Sequence, residues 1–492
     1  MNWVKQPLDV VNNERLINAL EQIKPIVING NVTNAPDEID ITSNEQNLLQ
    51  FKNRSAVDGM GYVILRKNKT FAEQVTQANT IYEIRYDFDL NGDEIQIKKG
   101  CVLNFVGGSL RNGVINLQDC IIKALRYKIF DFSLTIKNST NAQNAFPEWY
   151  GAKGDGINDD FQAFRKIFDA FDIISLSNKK YVIDCSMKEK VFYIKKYMHI
   201  KGDINTIVLF KNISDNSYIF HFEKELLVEK VHFTNAEKNM KGVCLHHLRT
   251  YGSGDEKYWS TSANMTLQRC SFEYFDIAVK AVSYTNRFDS CRIQHCNVGF
   301  YISGSITDDK HIAVTNNHFI QCHANYNTIG VHMDYCIYSI FDNCTSDENG
   351  LSYDMKECNA INFISCGMEY NKKLFNMERC NLINIIGTWI LTKREGLLAD
   401  FKKDYINLKN SDTITFKGSK FGFSSSFDDD TNDSIPQIFT INGFFDWAKV
   451  VVIIDDSYIS NYYKGLSLLF DSDSKDKVLI LSNKGKYIAT SK

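Results

Sequence analysis

A surplus of basic residues is absent from this 492-residue chain, whose formal net charge is −3. No global positive field exists to hold nucleic acid, and no basic run carries interleaved aromatics. Long apolar runs are absent as well. The longest aliphatic run, VVVII at 450–454, is far too short to cross a bilayer, so membrane insertion is not expected. The first residues, MNWVKQPLDVVNNERL, lack the apolar core of a secretory signal. The expectation is a product that stays soluble where it is made, or leaves by a route that needs no signal. No CxxC pair occurs among the 13 cysteines, which argues against structural zinc of the usual kind. An odd number of thiols in a chain made without a signal reads as reduced.

Proline is scarce at 5, whereas Asn, Ile and Phe are plentiful in a composition that is 44% hydrophobic and 23% charged. That mixture of β-branched, aromatic and turn residues favours an all-β protein. At about 150 residues per domain the length suggests about three domains, unless the fold is a repeat array.

Residues 1–60 differ from the rest. VNNERLINALEQI reads as a short amphipathic helix with Val11, Leu16, Ile17 and Leu20 on one side. A polar stretch, NGNVTNAPDEIDITSNEQN, follows, and the whole reads as an attachment segment. From 61 to 145 the chain becomes a β-rich opening module. There IYEIRYDFDLNGDEIQIKKGCVLNFVGGSLRNGVINLQDC alternates apolar and polar residues between NG, KKG and GG breaks.

A repeat dominates the second half. In MDYCIYSIFDNC, MKECNAINFISC and MERCNLINIIGT the Met positions are 333, 355 and 377, and the first Cys positions 336, 358 and 380. Both series step by 22. Taking 270, 291, 317, 344, 366 and 388 as equivalent gives steps of 21, 26, 27, 22 and 22. A step near 22 is one coil of a parallel β-solenoid, about three short strands and their turns. The LxxLxLxxN register of leucine-rich repeats is missing. Stacked coils put like residues in ladders about 4.8 Å apart. Ladders of Cys, Met, Ile and Phe would then fill the interior, with Asn ladders at the turns. This places the solenoid at 146–400, with 401–492 continuing or closing it.

An open solenoid end needs a cap. NDDFQAFRKIFDAF predicts a helix over 159–172, N-capped by Asn158 or Asp159, with Phe161, Phe164, Ile167, Phe168 and Phe171 on one face. The stretch before it, YGAKGDGINDDFQAF, resembles the G-A-x-G-D-G-x-x-D-D-x-x-A-[FI] motif that opens right-handed parallel β-helices of the pectate-lyase-like superfamily, frequent in phage tailspikes and polysaccharide-processing enzymes. The resemblance implies that fold, and implies structural roles for Gly154, Asp155, Gly156, Asp159 and Asp160. Residues 61–113 resemble a module of tail proteins from phages of gut Bacteroidales, including crAss-like phages. Together the two imply a homotrimeric spike or fibre of the virion tail, made in the host cytoplasm. It would dock to other tail proteins through its first residues and bind host-surface polysaccharide, in some relatives cutting it.

Candidate chemistry is sparse, and no cofactor is implied. Asp347 and Glu369 match, each three residues after a ladder Cys, and Glu273 matches them three after Cys270. They read either as an acidic ladder in a groove, as two-carboxylate glycoside cleavage requires, or as turn carboxylates on a solvated edge. His295, His311, His318, His323 and His332 fall in different phases of the repeat, so no metal site is expected from them. DDDTND at 428–433 and DSDSKD at 471–476 lack the Gly and final Glu of an EF-hand loop. The longest interruption of the rhythm, 246–264, offers Tyr251, Tyr258 and Trp259 for stacking on sugar rings, and Asp255 and Glu256 for hydroxyls. Asp308 and Asp309 of a second insertion, 303–311, are expected on the same face two coils away, so that Glu256, Asp308 and Asp309 are further candidate catalytic carboxylates across the groove between the two loops. The reading is a structural, glycan-binding tail protein, with a tailspike depolymerase as the alternative.

Overall fold

The computed structural model describes residues 60–139, 144–186, 192–248, 264–307, 310–392 and 405–423. It also places the backbones of strands Ile26–Ile28, Asn31–Thr33, Gln437–Asn442, Val450–Asp455, Tyr458–Ile459, Leu466–Phe470, Val478–Ser482 and Tyr487–Ser491. The chain divides into two compact units, Met1–Gln143 and Asn144–Lys492.

The first unit is itself a short parallel solenoid. Strands Gly61–Ile64, Thr80–Ile84, Val102–Phe105 and Ile121–Lys123 pair in parallel, as do Glu94–Gln96, Gly113–Asn116 and Leu134–Lys137. Tyr82, Leu103 and Ile122 stack in register inside it. Its Asn-Gly pairs do not close hairpins. Asn91, Gly92 and Asn112 hold φ of 53°, 86° and 54° at corners between successive strands of a coil. At Gly113 an added Cβ would lie 2.6 Å from Leu90 Cβ, so only glycine fits there.

The second unit is a parallel β-helix with three sheets. The first begins at Ile173–Ser175, the second at Asp155–Asp159 and the third at Phe192–Ile194, and consecutive strands visit first, second and third in turn. Apolar positions alternate inward. On the first sheet Phe288, Phe319, Phe341 and Phe363 form one column, with ring centroids 4.7, 4.3 and 4.7 Å apart. VVVII and VLILS lie in Val450–Asp455 and Val478–Ser482 and pair within the chain's own first sheet.

The corner between first and second sheets explains the cysteines. Arg269, Ser290, Gln321, Asn343 and Ser365 all hold left-handed φ. The residues after them are Cys270, Cys291, Cys322, Cys344 and Cys366, whose thiols point inward. Cys291 Sγ meets Leu267 O at 3.4 Å, Cys322 Sγ meets Phe288 O at 3.3 Å and Cys344 Sγ meets Phe319 O at 3.4 Å. Cys322, not Asn317, is therefore the ladder member after Cys291, and the step there is 31 residues. The extra length forms the hairpin Ser305–Thr307 with Lys310–Ile312. Asn317 belongs to another buried column, accepting from Asn286 Nδ2 at 2.8 Å and donating to Ser339 Oγ at 3.2 Å. A third polar column, Asn327, Asn349 and Asn371, supplies amide oxygens to the backbone N–H groups of Cys296, Asn327 and Asn349 at 2.8–2.9 Å.

The acids of the opening motif hold backbone. Buried Asp160 accepts from the N–H groups of Lys153 at 2.7 Å, Gly154 at 3.2 Å and Val182 at 3.3 Å. Asp159 Oδ1 accepts from Phe161 and Asp184, each at 3.0 Å, and Asp155 Oδ1 from Ile157 and Asn158, each at 2.9 Å. Those N–H bonds hold the Asp155 carboxyl down at about 2. The helix is Phe161–Ala170, shorter than expected at both ends, because Asp159 ends a strand and Phe171 is extended. Asp160, rather than Asn158 or Asp159, stands at the N-cap, with its carboxylate turned back onto the Lys153–Gly154 loop. Gly154 (φ 57°) passes that loop against Lys179 and Tyr181. The helix lays Phe164 on Tyr181 at 5.2 Å and Phe168 on Phe192 at 5.3 Å, which covers the first coils.

Asp160→Ala strands three buried or half-buried donors and should cost about 2–4 kcal/mol. Urea unfolding with an unshifted midpoint would refute the bracing role. All 13 cysteines are buried and free, and burial pushes Cys185 and Cys296 up to about 12. Thiol reagents should find none reactive in the native chain and 13 in denaturant; a deficit in freshly denatured protein would reveal bridges.

Candidate functional site on the second sheet

Outward residues of the second sheet fall into two files. One runs His232, Ser271, Arg292, His323, Thr345, Gly367, Trp389 and Lys420, and the other Thr234, Glu273, Gln294, Asn325, Asp347, Glu369 and Leu391. A third file occupies the corner toward the third sheet. Tyr274, His295, Tyr326, Glu348 and Tyr370 all take left-handed φ, between 53° and 65°. This conformation stacks their side chains over one another: Tyr274 on His295 at 5.1 Å, and His295 on Tyr326 at 5.2 Å. Lys238 caps the stack 5.3 Å from Tyr274, a cation–π contact.

Asp347 and Glu369 are direct register partners, so their Cα atoms stand about 4.8 Å apart. They are strand residues and half-buried, not turn carboxylates on a solvated edge. Glu273 shares the file but lies three coils away, engaged by Gln294 Nε2 and, at 3.6 Å, by His232. Asp347 Oδ1 and Asn325 Oδ1 are buried without a hydrogen-bond partner. Burial first, and then the charge of Glu369, push Asp347 up to about 6. A desolvated carboxyl beside a second carboxyl is the arrangement that separates an acid from a base.

The surroundings leave space. At Gly367, beside this pair, an added Cβ would meet nothing nearer than Thr345 Cγ2 at 3.6 Å. The next residue in that file is Trp389, 41% exposed, with Lys420 over its ring at 4.2 Å. Tyr326 is 48% exposed on the other flank. Flat aromatic faces with polar edges suit the C–H face of a pyranose ring. Trp389, Tyr326 and Tyr370 escaped the sequence reading; the 22-residue step from Gly367 to Trp389 was the available signal.

Tyr251, Asp255, Glu256, Tyr258, Trp259, Asp308 and Asp309 lie outside the described residues, as do the acidic runs 428–433 and 471–476. The strands flanking the two insertions are described. Val243–Leu248 and Val298–Ser303 both leave the third sheet for the first, two strands apart. That corner is not the one that carries the Asp347–Glu369 pair, which stands on the second sheet. The histidines separate too: His318 is on the first sheet, His323 on the second, His332 on the third and His295 in a corner. Among the described residues no group of three His, Cys, Asp or Glu is placed to hold a metal.

The raised Asp347 value has a signed consequence. Between about 4, the unfolded value, and about 6, the folded chain keeps a proton that the unfolded chain releases. Ionisation as pH rises through 6 therefore weakens the fold, by about 1–2 kcal/mol after allowing for partial exposure. The thermal midpoint should rise between pH 7.5 and 5, and Asp347→Asn should flatten that slope. A variant with the same pH profile as the parent would contradict the assignment.

The chain matches no family model and no curated protein. Among solved structures it is similar to the gp42 tailspike of Acinetobacter phage vb_AbaP_AS12, with 14% identity and a TM-score of 0.43 over 73% of this chain and 64% of that one. It is also similar to the A-module of Azotobacter vinelandii mannuronan C-5 epimerase AlgE4, with 13% identity and a TM-score of 0.40 over 70% and 97%. The Streptococcus pneumoniae surface adhesin PfbA gives 11% identity and a TM-score of 0.38 over 69% and 91%. The chain spans 64% of the tailspike's length. Likenesses of this size assign no activity; the parallel β-helix is read from the strand pairing itself.

Proposed function

We propose that the chain is a spike or fibre protein of a phage tail that binds host-surface glycan along the second sheet. The observation that carries the reading is the half-buried Asp347–Glu369 pair beside the open position at Gly367, between the exposed rings of Trp389 and Tyr326. A rigid ladder holds these side chains without loop motion, which lowers the ordering cost of binding. The motif at 150–164 supports a tailspike-type β-helix, and the resemblance of 61–113 makes gut Bacteroidales the first cells to test. The chain acts as a homotrimer in the virion tail, its first 60 residues docking to other tail proteins.

A depolymerase is the second reading, favoured by the Asp347 value of about 6. Neighbouring coils set the carboxyl groups near the separation of about 5–5.5 Å used by retaining glycosidases. Protonated Asp347 would donate to the glycosidic oxygen as that bond breaks. The Glu369 carboxylate would attack the anomeric carbon, and water would then hydrolyse the glycosyl ester, with Asp347 taking its proton.

Trp389→Ala should lower adsorption of the purified protein to host cells at least tenfold while leaving the oligomer intact; unchanged adsorption ends the glycan reading. Reducing-sugar release from host capsule, lost in Asp347→Asn and in Glu369→Gln, would establish cleavage. Light scattering should give three times the chain mass of 56.5 kDa, and a monomer would exclude the spike.

A further inference from the structure

The acid pair occupies only the later coils of the second sheet. Two coils earlier the face changes character. Arg292 stands exposed in the outer file, one register step before His323, which is exposed as well. Arg269 is exposed at the adjoining corner. Its backbone N–H bonds Asp289 O at 2.8 Å, and the Arg292 N–H bonds the carbonyl of Cys270, the very next residue, at 2.9 Å. The two guanidinium-bearing residues are therefore fixed on neighbouring coils by the main chain. Among the described residues no hydrogen bond or ion pair engages either side chain. Four other described arginines are paired: Arg85 with Glu83, Arg111 with Asp89, Arg287 with Asp289, and Arg379 with Glu357 and Glu378.

The carboxylate nearest to Arg292 along the sheet is Glu273, one coil before it and two residues across. That group is already occupied by Gln294 and His232, and it does not turn to the guanidinium. His323 shares its one described hydrogen bond with Thr345 Oγ1, 2.8 Å from Nδ1, and Nε2 has no described partner. A chain of net charge −3 thus keeps two unneutralised guanidinium groups and an imidazole on one patch. His323, Arg292 and Arg269 lie one, two and three ladder steps before Asp347, about 5, 10 and 14 Å along the axis.

We infer that Arg269, Arg292 and His323 form a subsite for an anionic substituent of the bound glycan, a carboxylate or a sulfate. The inference rests on the glycan reading above. Arg presents parallel N–H donors that match either oxyanion in two-point contacts. A ligand lying along the axis would place a charged sugar here while an uncharged ring further on rests beside the Asp347–Glu369 pair, toward Trp389. The acids there would repel a charged ring, and this fixes which residue of the repeating unit sits where.

The test is affinity electrophoresis of the full chain through gels containing polygalacturonate, dextran sulfate or neutral dextran, at two salt concentrations. Wild type should be retarded by at least one anionic polymer and not by dextran, with retardation falling as salt rises. Arg269→Gln/Arg292→Gln should lose at least tenfold in apparent affinity, whereas Arg292→Lys alone should lose less. Polygalacturonate against dextran sulfate separates a carboxylate site from a sulfate site. Equal retardation of wild type and double variant, or no retardation by either anionic polymer, overturns the subsite. The double variant should unfold at the wild-type temperature, since both side chains are exposed and unpaired; a lowered midpoint would also count against the proposal, by giving the pair a structural role. The Trp389→Ala adsorption assay decides the glycan reading separately. Adsorption lost there with the arginine variants unaffected rejects the subsite alone.

Discussion

Each coil of the β-helix turns its corners on residues held in left-handed backbone conformation. Non-glycine residues resist it by about 1–2 kcal/mol each, and thirty of them adopt it among the described residues. What holds them there is the residue that follows. After Arg269, Ser290, Gln321, Asn343 and Ser365 comes a cysteine whose thiol meets the carbonyl of an earlier coil. At the next corner the buried amides of Asn327, Asn349 and Asn371 receive the backbone donors of neighbouring coils. The ladders, the flat faces and the outward files all inherit their registration from these corners.

The same constraint builds the candidate site. A left-handed residue directs its side chain out of the coil, so Tyr274, His295 and Tyr326 stack over one another beside the strand file that carries Glu273, Gln294, Asn325, Asp347 and Glu369. Aromatic surface and carboxyl groups are brought together by one repeating backbone pattern. Asp347 and Glu273 share this file but not their neighbours: Glu273 has Gln294 and His232, whereas Asp347 has another carboxyl and a buried oxygen without a partner.

Much of this was legible in the sequence wherever the step stayed near 22. The Met and Cys series at 333–380 gave the coil, and the phenylalanines of 161–171 gave the capping helix. Legibility failed where the step lengthened. The 31-residue step hid Cys322 and drew Asn317 into its place, because an inserted hairpin breaks the count while leaving the coil intact. The corners failed for another reason. Left-handed backbone is read from glycine or asparagine, and Tyr274, His295, Tyr326 and Tyr370 are neither. The Asn-Gly pairs at 91 and 112 marked turns, though turn chemistry alone does not distinguish a hairpin from a solenoid corner. Burial of Asp347 depends on side chains of adjacent coils and leaves no local trace.

The spacing of partners along the chain has a kinetic consequence. Strands that pair in the second unit are separated by about one coil, often 22 residues and as many as 39 at the longest steps. In a chain of 492 residues the relative contact order is therefore very low for an all-β protein, below that of ordinary sandwiches. Each coil can close as soon as its next 21 to 39 residues have been synthesised, on a template already finished. Assembly then proceeds in one direction behind the ribosome, and until the last coil is in place the growing end offers unpaired N–H and C=O groups to any neighbouring strand. Nascent chains made side by side on one message face their main hazard at that moving edge.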